Sequence, residues 1–334
     1  MRRRMTLISS IIVLAIVQVA TTTPLFATSG IGGRPGNPDP KNPRTQSIFI
    51  YELQGGRQKN DQLIVTNGTD KAEDIEVYAV DGTTTATGDI ACKERSEPRD
   101  GAGSWVSLGK DSVRLNPGQS TPVDFVVNVP EGVDVGEHSA CLAVQRKVVD
   151  EQPTTGGVVI QTRQAVRMAI IVSGEIHRDI AIEKFTVDNN GGKQQYDIAL
   201  KNIGNVSADV RVALTVKDGA GNVIYENGGQ YPVMANKEKS MRFESQLAPF
   251  WGGRYTAELS ISYDKEAGKF GVSQNKADII TKHAEPVAIR FGLTLPAWGI
   301  IIGGVAVVLG ILLWLIGKRR KKSQRRRSGG LFMK

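Results

Sequence analysis

Apolar and polar positions alternate with a period of two along much of this chain. That pattern predicts strands with one buried and one wet face. Ile75, Val77 and Ala79 share a face, as do Val123, Phe125, Val127 and Val129. The same holds for Tyr196, Ile198 and Leu200, and for Val210, Val212, Leu214 and Val216. The cleanest run is Tyr255, Ala257, Leu259, Ile261 and Tyr263. Turn chemistry separates the runs: Asn67-Gly68, Asp81-Gly82, Asn116-Pro117-Gly118, Asn189-Asn190-Gly191-Gly192, Asp218-Gly219 and Asn227-Gly228. Many short strands between such turns predict an all-β exterior of antiparallel β-sandwiches.

The alternating region, roughly 240 residues, is too long for one sandwich of about 100 and suits two in tandem. A long apolar strand from Val158 to Val172 ends at Ser173-Gly174-Glu175, and another begins at Asp179 and runs to Val187. The joint is expected there, giving sandwiches over 47–174 and 175–282. Residues 28–46, crowded with Gly and Pro and without apolar periodicity, are expected to form a disordered leader. Residues 283–294 are expected to link the second sandwich to the C-terminal segment.

That segment has a different pattern. Trp298 to Ile316 is an uncharged run of nineteen residues, which as a helix spans about 28 Å, the thickness of a bilayer core. The predicted membrane helix covers 295–317. The tail at 318–334 holds nine Lys or Arg and no acidic residue, which places the C-terminus in the cytoplasm and the sandwiches outside. At the other end, Arg2-Arg3-Arg4 and the apolar stretch Leu7 to Ala20 precede a small-residue segment ending near Ala27. This is the layout of a signal peptide over 1–27. An uncleaved signal anchor has the same pattern, and the short apolar run favours cleavage.

Charge changes meaning in this light. The formal total is +8, but without the basic tail and the three N-terminal arginines the exterior carries about −4. Basicity encodes topology, and no nucleic-acid partner is expected. The two cysteines, Cys92 and Cys141, lack metal-ligand or CxxC spacing and read as a disulfide in an oxidising exterior, or else as two free thiols.

Specific segments carry a family resemblance. Ile50-Tyr51-Glu52-Leu53, Asp61 to Asn67 and Val77-Tyr78-Ala79-Val80-Asp81 come in order. They are followed by Gly103-Ser104-Trp105-Val106, Leu115-Asn116-Pro117-Gly118, Val129-Pro130, Gly136-Glu137-His138 and Val166-Arg167. This order resembles the peptidoglycan-binding domain of WxL-interacting surface proteins of Gram-positive bacteria. The resemblance implies two immunoglobulin-like domains, a membrane helix and a basic tail. It also implies peptidoglycan or another cell-wall polymer as ligand, and a WxL-type or other exported surface protein as partner. In the second sandwich, Leu200 to Val206, Gly219 to Ile224 and Gly253-Arg254-Tyr255 resemble bacterial immunoglobulin-like modules more loosely.

Each of those motifs also has a packing explanation. Asn116-Pro117-Gly118 presets a turn, Trp105 suits core or edge packing better than a sugar platform, and His138 reads as a structural histidine. No ligand-contacting residue is assigned. The three histidines, His138, His177 and His283, form no ligand-spaced pair, and HExxH, GxSxG, P-loop and dinucleotide motifs are missing. Cys141 and His138, three apart in a strand, point to opposite faces. No enzyme, cofactor or metal is expected, and a wall or glycan hydrolase is the reading of another class. Leu295-Pro296-Ala297-Trp298-Gly299 resembles a sortase sorting signal with Trp in place of Thr; Pro296 equally well opens the membrane helix. The leading expectation is a non-catalytic, membrane-anchored surface protein that binds the cell wall or a surface partner. The alternatives are an assembly scaffold that captures an exported partner by strand addition, and a second sandwich that merely spaces the first.

Overall fold

The computed structural model describes residues 30–147, 162–190, 193–247, 253–265, 278–291 and 295–328. The expected signal peptide, and the part of the predicted 158–172 strand before residue 162, lie outside them. The described chain is mostly strand, with one C-terminal helix.

The first ten strands are β1 (Ile31–Pro35), β2 (Phe49–Leu53), β3 (Gln58–Asn67), β4 (Glu73–Thr84), β5 (Ile90–Cys92), β6 (Val106–Leu108), β7 (Ser112–Leu115), β8 (Ser120–Asn128), β9 (Gly136–Arg146) and β10 (Arg163–Val172). One sheet has the order β1-β3-β8-β6; the other runs β2-β10-β9-β4-β5, with β7 also on β4. Only β2 and β10 pair in parallel among the described strands. Alternation puts Leu63, Val65, Val123 and Phe125 of one sheet against Val77, Leu142, Val144 and Met168 of the other, in a single buried core.

A second layered unit comes next: β11 (Ile180–Asn190), β12 (Lys193–Asn202), β13 (Ala208–Asp218), β14 (Val223–Val233), β15 (Glu238–Ser245), β16 (Gly253–Asp264), β17 (Ile279–His283) and β18 (Val287–Phe291). Its sheets are β11-β12-β15 and β14-β13-β16-β17, with β18 continuing along β16. Tyr196, Ile198 and Leu200 face Val210, Val212, Leu214, Leu259 and Ile261 across a separate core.

Four expectations need correction. The leader is not structureless: Ile31–Pro35 pairs with β3 from Ile31↔Asn67 to Pro35↔Leu63, and Pro43–Gln46 forms a 3-10 turn. Its glycines serve close approach, since a Cβ on Gly33 would sit 3.3 Å from the Leu63 side chain. The second unit does not end at 282, because β18 adds Ile289 to its core and occupies most of the expected linker. Neither Asp81-Gly82 nor Asn227-Gly228 is a turn; they lie inside β4 and β14. The C-terminal helix α1 (Leu295–Ser328) continues past the apolar run into the basic tail. Its segment Gly299–Arg319 is long and apolar enough to cross a membrane.

The two sandwiches meet through polar contacts. Arg44, just before β2, forms an ion pair with Asp209 of β13, whose side chain is 1% exposed. Arg167 donates to Glu137 at 2.5 Å and to Ser207 Oγ at 2.9 Å, and the Ser207 N–H donates to Glu137 at 2.8 Å. The Glu137 N–H donates to the Asn205 carbonyl at 2.7 Å. Buried charges are tolerated here because each finds a partner across the joint.

Candidate functional site

Every sandwich sheet ends in strands whose outer backbone groups need partners. Two of the edges here, β1 and β15, have outer backbone groups filled from within, and a third is tied to its neighbour by a side chain. On β1, the Gly33 N–H donates to Gln164 Oε1 at 2.6 Å, and Gln164 Nε2 returns a bond to the Gly33 carbonyl at 3.3 Å. On β15, the Ser240 N–H donates to the Thr87 carbonyl and the Tyr225 hydroxyl to the Glu244 carbonyl, both at 2.9 Å. β11 is tied to β18 by Asn189 Nδ2 and the Arg290 carbonyl at 2.9 Å.

The outer edge of β14 is different. It is eleven residues long and ends its sheet, with no described strand beyond it. Register with β13 runs from Ala208↔Val233 to Val216↔Tyr225, with an irregularity only at the Val216/Lys217 end. The Gly228 N–H donates to its own neighbour Asn227 Oδ1 at 2.7 Å. In an antiparallel ladder backbone direction alternates, so Glu226, Gly228 and Gln230 turn their groups outward. Pro232 shares that parity, where its missing N–H costs nothing.

The sequence fastens this strand to its unit by two means. The opposite parity places Tyr225, Tyr231 and Val233 inward. Tyr225 stacks on Tyr196 with centroids 5.8 Å apart and planes 11° apart, and Tyr231 lies 6.3 Å from Phe243. Burial, chiefly, raises the Tyr196 hydroxyl above its ordinary value, as expected for a ring committed to the core. At the centre, a Cβ on Gly228 would fall 2.2 Å from the Val212 carbonyl oxygen, so glycine is what lets β14 lie close to β13. Residues Glu226 to Gln230 are all exposed. The usual protections of an edge are sparse: VIYENGGQYPV contains no Lys or Arg, one Glu and one Pro near its end.

The residues singled out from sequence lie elsewhere. Cys92 of β5 and Cys141 of β9 are joined in a disulfide with Cα atoms 6.0 Å apart, bridging strands on either side of β4. Trp105 packs against the first core and meets the His138 ring at 4.8 Å, while His138 Nε2 lies 2.8 Å from the Asp134 carbonyl. A cavity of about 270 Å³ between the sandwiches is lined by Asp81, Lys93, Asp100, Glu137, His138 and Lys237 among others. Most of its charges are spent on one another: Lys93 donates to Asp81 at 3.1 Å and to Asp100 at 2.6 Å. Among the described residues no group of three or more His, Cys, Asp or Glu is arranged to hold a metal. Sequence reasoning missed β14 because Asn-Gly-Gly reads as a hairpin turn. The flanking tyrosines at 225 and 231, of equal parity, were the available signal.

No protein-family model and no curated protein matches the chain. Solved structures resemble it at low similarity. The YadV chaperone is 8% identical at TM-score 0.40, over 76% of this chain and 99% of that one. A chain of the CsuC–CsuE chaperone–tip adhesion subunit pre-assembly complex of Acinetobacter baumannii is 12% identical at TM-score 0.37, over 73% and 95%. A chain of the Salmonella enterica SafA pilin–SafB chaperone complex is 11% identical at TM-score 0.35, over 78% and 96%. These findings overturn the WxL resemblance. No family model supports it, and the three solved structures above are a chaperone and two chaperone complexes, not WxL-associated proteins. The matching segments are ordinary β-structure, such as Val77 to Asp81 inside β4 and the turn at Asn116-Pro117-Gly118, which unrelated sandwiches share. Likeness at these scores fixes no function, which has to come from this chain's own strands.

Proposed function

We propose that this chain is a non-catalytic, single-pass membrane protein whose two immunoglobulin-like sandwiches stand outside the membrane. In this reading the outer edge of β14 captures an extended segment of an exported partner protein by strand addition. The observation that carries it is the open edge itself: eleven residues, outward backbone groups at every second position, and almost none of the features that natural proteins use to blunt an edge. Two other edges have outer backbone groups filled by Gln164 and by Thr87 with Tyr225. Main-chain bonds would supply affinity, and the side chains of Glu226 and Gln230 would supply selectivity. The basic residues that follow the apolar helix orient the tail to the cytoplasm.

Glu226→Pro tests the reading. It removes one outward N–H and leaves the β13 ladder intact. A partner recovered with the full-length protein from its own envelope fraction should be lost with this variant. It should be retained with Glu183→Gln, a change on β11 in the opposite sheet. Equal recovery with Glu226→Pro would refute capture at β14.

A further inference from the structure

The β14 sequence is nearly palindromic about Gly228. Reading outward, Asn227 stands against Gly229, Glu226 against Gln230, Tyr225 against Tyr231, Ile224 against Pro232, and Val223 against Val233. Two identical strands related by a twofold axis through Gly228 would therefore meet nearly like with like.

We propose that the resting occupant of the β14 edge is the β14 edge of a second copy of this chain, paired antiparallel about Gly228. This rests on β14 being a pairing edge, and it adds what covers that edge before a partner arrives. Four features of the strand fit. Gly228 sits on the axis and faces its own copy there. Its N–H now donates only to Asn227 Oδ1 and is available for exchange. Glu226 falls opposite Gln230 of the second copy, twice, as a carboxylate facing an amide that spends one N–H on Asp209 of its own chain at 3.3 Å and has a second to give. The two Glu226 carboxylates stay four strand positions apart, roughly 13 Å, so no like charges face each other. A pairing centred on Glu226 instead would bring the two acids together, which disfavours that register. Tyr225 and Tyr231 then stand across from each other on the inward face, where aromatic cross-strand pairs add stability.

Geometry sets one condition. An antiparallel pair is related by an axis perpendicular to its sheet, so two copies anchored in one bilayer pair with this sheet lying along the bilayer surface. The same edge then exchanges a self-made bond set for that of a partner strand, which makes capture a competition and keeps an otherwise exposed strand from indiscriminate pairing.

Full-length Glu226→Cys and Gln230→Cys chains test this register. The only native cysteines, Cys92 and Cys141, are already bridged. Directly opposed residues of a bonded antiparallel pair have Cα atoms about 5.5 Å apart, within disulfide reach. Co-production of the two variants in one membrane should yield a covalent dimer on a non-reducing gel, while each variant alone should yield little. No dimer from the mixture, or equal dimer from either variant alone, overturns the proposal. Sedimentation of the full-length protein in detergent gives a second readout. Glu226→Pro should weaken the dimer at least about tenfold, for two lost symmetry-related bonds, and a monomeric parent protein at micromolar concentration counts against self-pairing. Should cross-linking fail while Glu226→Pro still abolishes partner recovery, self-pairing alone falls. Should cross-linking succeed while partner recovery is unaffected, self-pairing stands and capture falls.

Discussion

Lys239 of β15 and Asp89, at the tip of the β4–β5 hairpin, form an ion pair that joins the two sandwiches. The lysine side chain is 5% exposed and the aspartate 61%, so the hairpin brings a wet carboxylate to a buried ammonium. Beside the pair, the Ser240 N–H donates to the Thr87 carbonyl at 2.9 Å. Gly88 between them has φ +80°, and a Cβ there would lie 1.9 Å from the Glu238 carbonyl oxygen. Glycine at the tip allows the backbones to touch.

This contact should be acid-sensitive. The Lys239 hydrogen bond, and after it that of Thr87, holds the Asp89 carboxyl below its ordinary value. A depressed carboxyl contributes stability that is present above its unfolded value, about 3.9, and lost as pH falls through its lower folded value. The stability difference between the parent protein and Asp89→Asn should be present at pH 5 and vanish as pH drops below the folded value. With Asp89 largely in water the difference should be about 1 kcal/mol or less. Thermal unfolding across pH 2–6 measures it, and a difference that grows on acidification would contradict the assignment.

The leader should matter to stability. A chain beginning at Ser47 would lose β1, leaving the outer edge of β3 unpaired over Leu63 to Asn67 while its other side stays on β8. It would also take Arg44 from Asp209, which would keep only the Gln230 amide at 3.3 Å. Truncation should cost roughly 2–4 kcal/mol, less than a fully buried pair because Arg44 is 42% exposed. Denaturant unfolding of full-length and truncated proteins gives the comparison, and an unchanged midpoint would make the leader dispensable.

The Cys92–Cys141 disulfide closes a separation of 49 residues. It fastens β5, which pairs with β4 at only three positions, to β9. The same hairpin reaches Lys239. Cys92→Ala with Cys141→Ala should cost about 2–4 kcal/mol and should make the segment from Lys93 to Asp100 the first protease target. Limited proteolysis with mapping of the first cut tests both. Initial cleavage elsewhere, at an unchanged melting temperature, would show that the bridge restrains little.

Strand positions were legible in the sequence wherever one face is dry. The runs through Ile75, Val123, Tyr196, Val210 and Tyr255 fall in β4, β8, β12, β13 and β16. Elements whose residues answer to a distant partner were not. Ile31-Gly32-Gly33-Arg34-Pro35 has the composition of a linker, yet it is a strand because β3 offers an unpaired edge and Gln164 an amide to hold it. Val287 to Phe291 contributes only Ile289 to the buried core and reads as a linker until β16 is in place. The candidate edge failed to show for a related reason: glycine signals a turn or a close backbone approach, and only the neighbouring strand decides which.

Asn67 and Asn202, at the ends of β3 and β12, do the same work in the two sandwiches and should be costly to replace. Both are fully buried. Asn202 Nδ2 donates to the carbonyls of Val206 at 2.8 Å and Val233 at 3.0 Å, while its Oδ1 accepts the Gly204 N–H at 2.9 Å. Asn67 Nδ2 donates to the carbonyls of Lys71 at 2.7 Å and Leu115 at 2.9 Å, and its Oδ1 accepts from Thr69. One amide thus satisfies backbone groups on two separate segments, pinning the loop after its strand to the end of a distant one. Alanine leaves those groups buried without partners, at about 1–3 kcal/mol each before relaxation. Asn202→Ala should therefore destabilise the second sandwich by roughly 2–4 kcal/mol with an unchanged denaturant slope. Because Val233 ends β14, the same variant should also loosen the open edge, seen as faster amide exchange at Gln230 and Tyr231. A loss below about 1 kcal/mol, with exchange along β14 unaltered, would mean that the loop holds its shape without the asparagine.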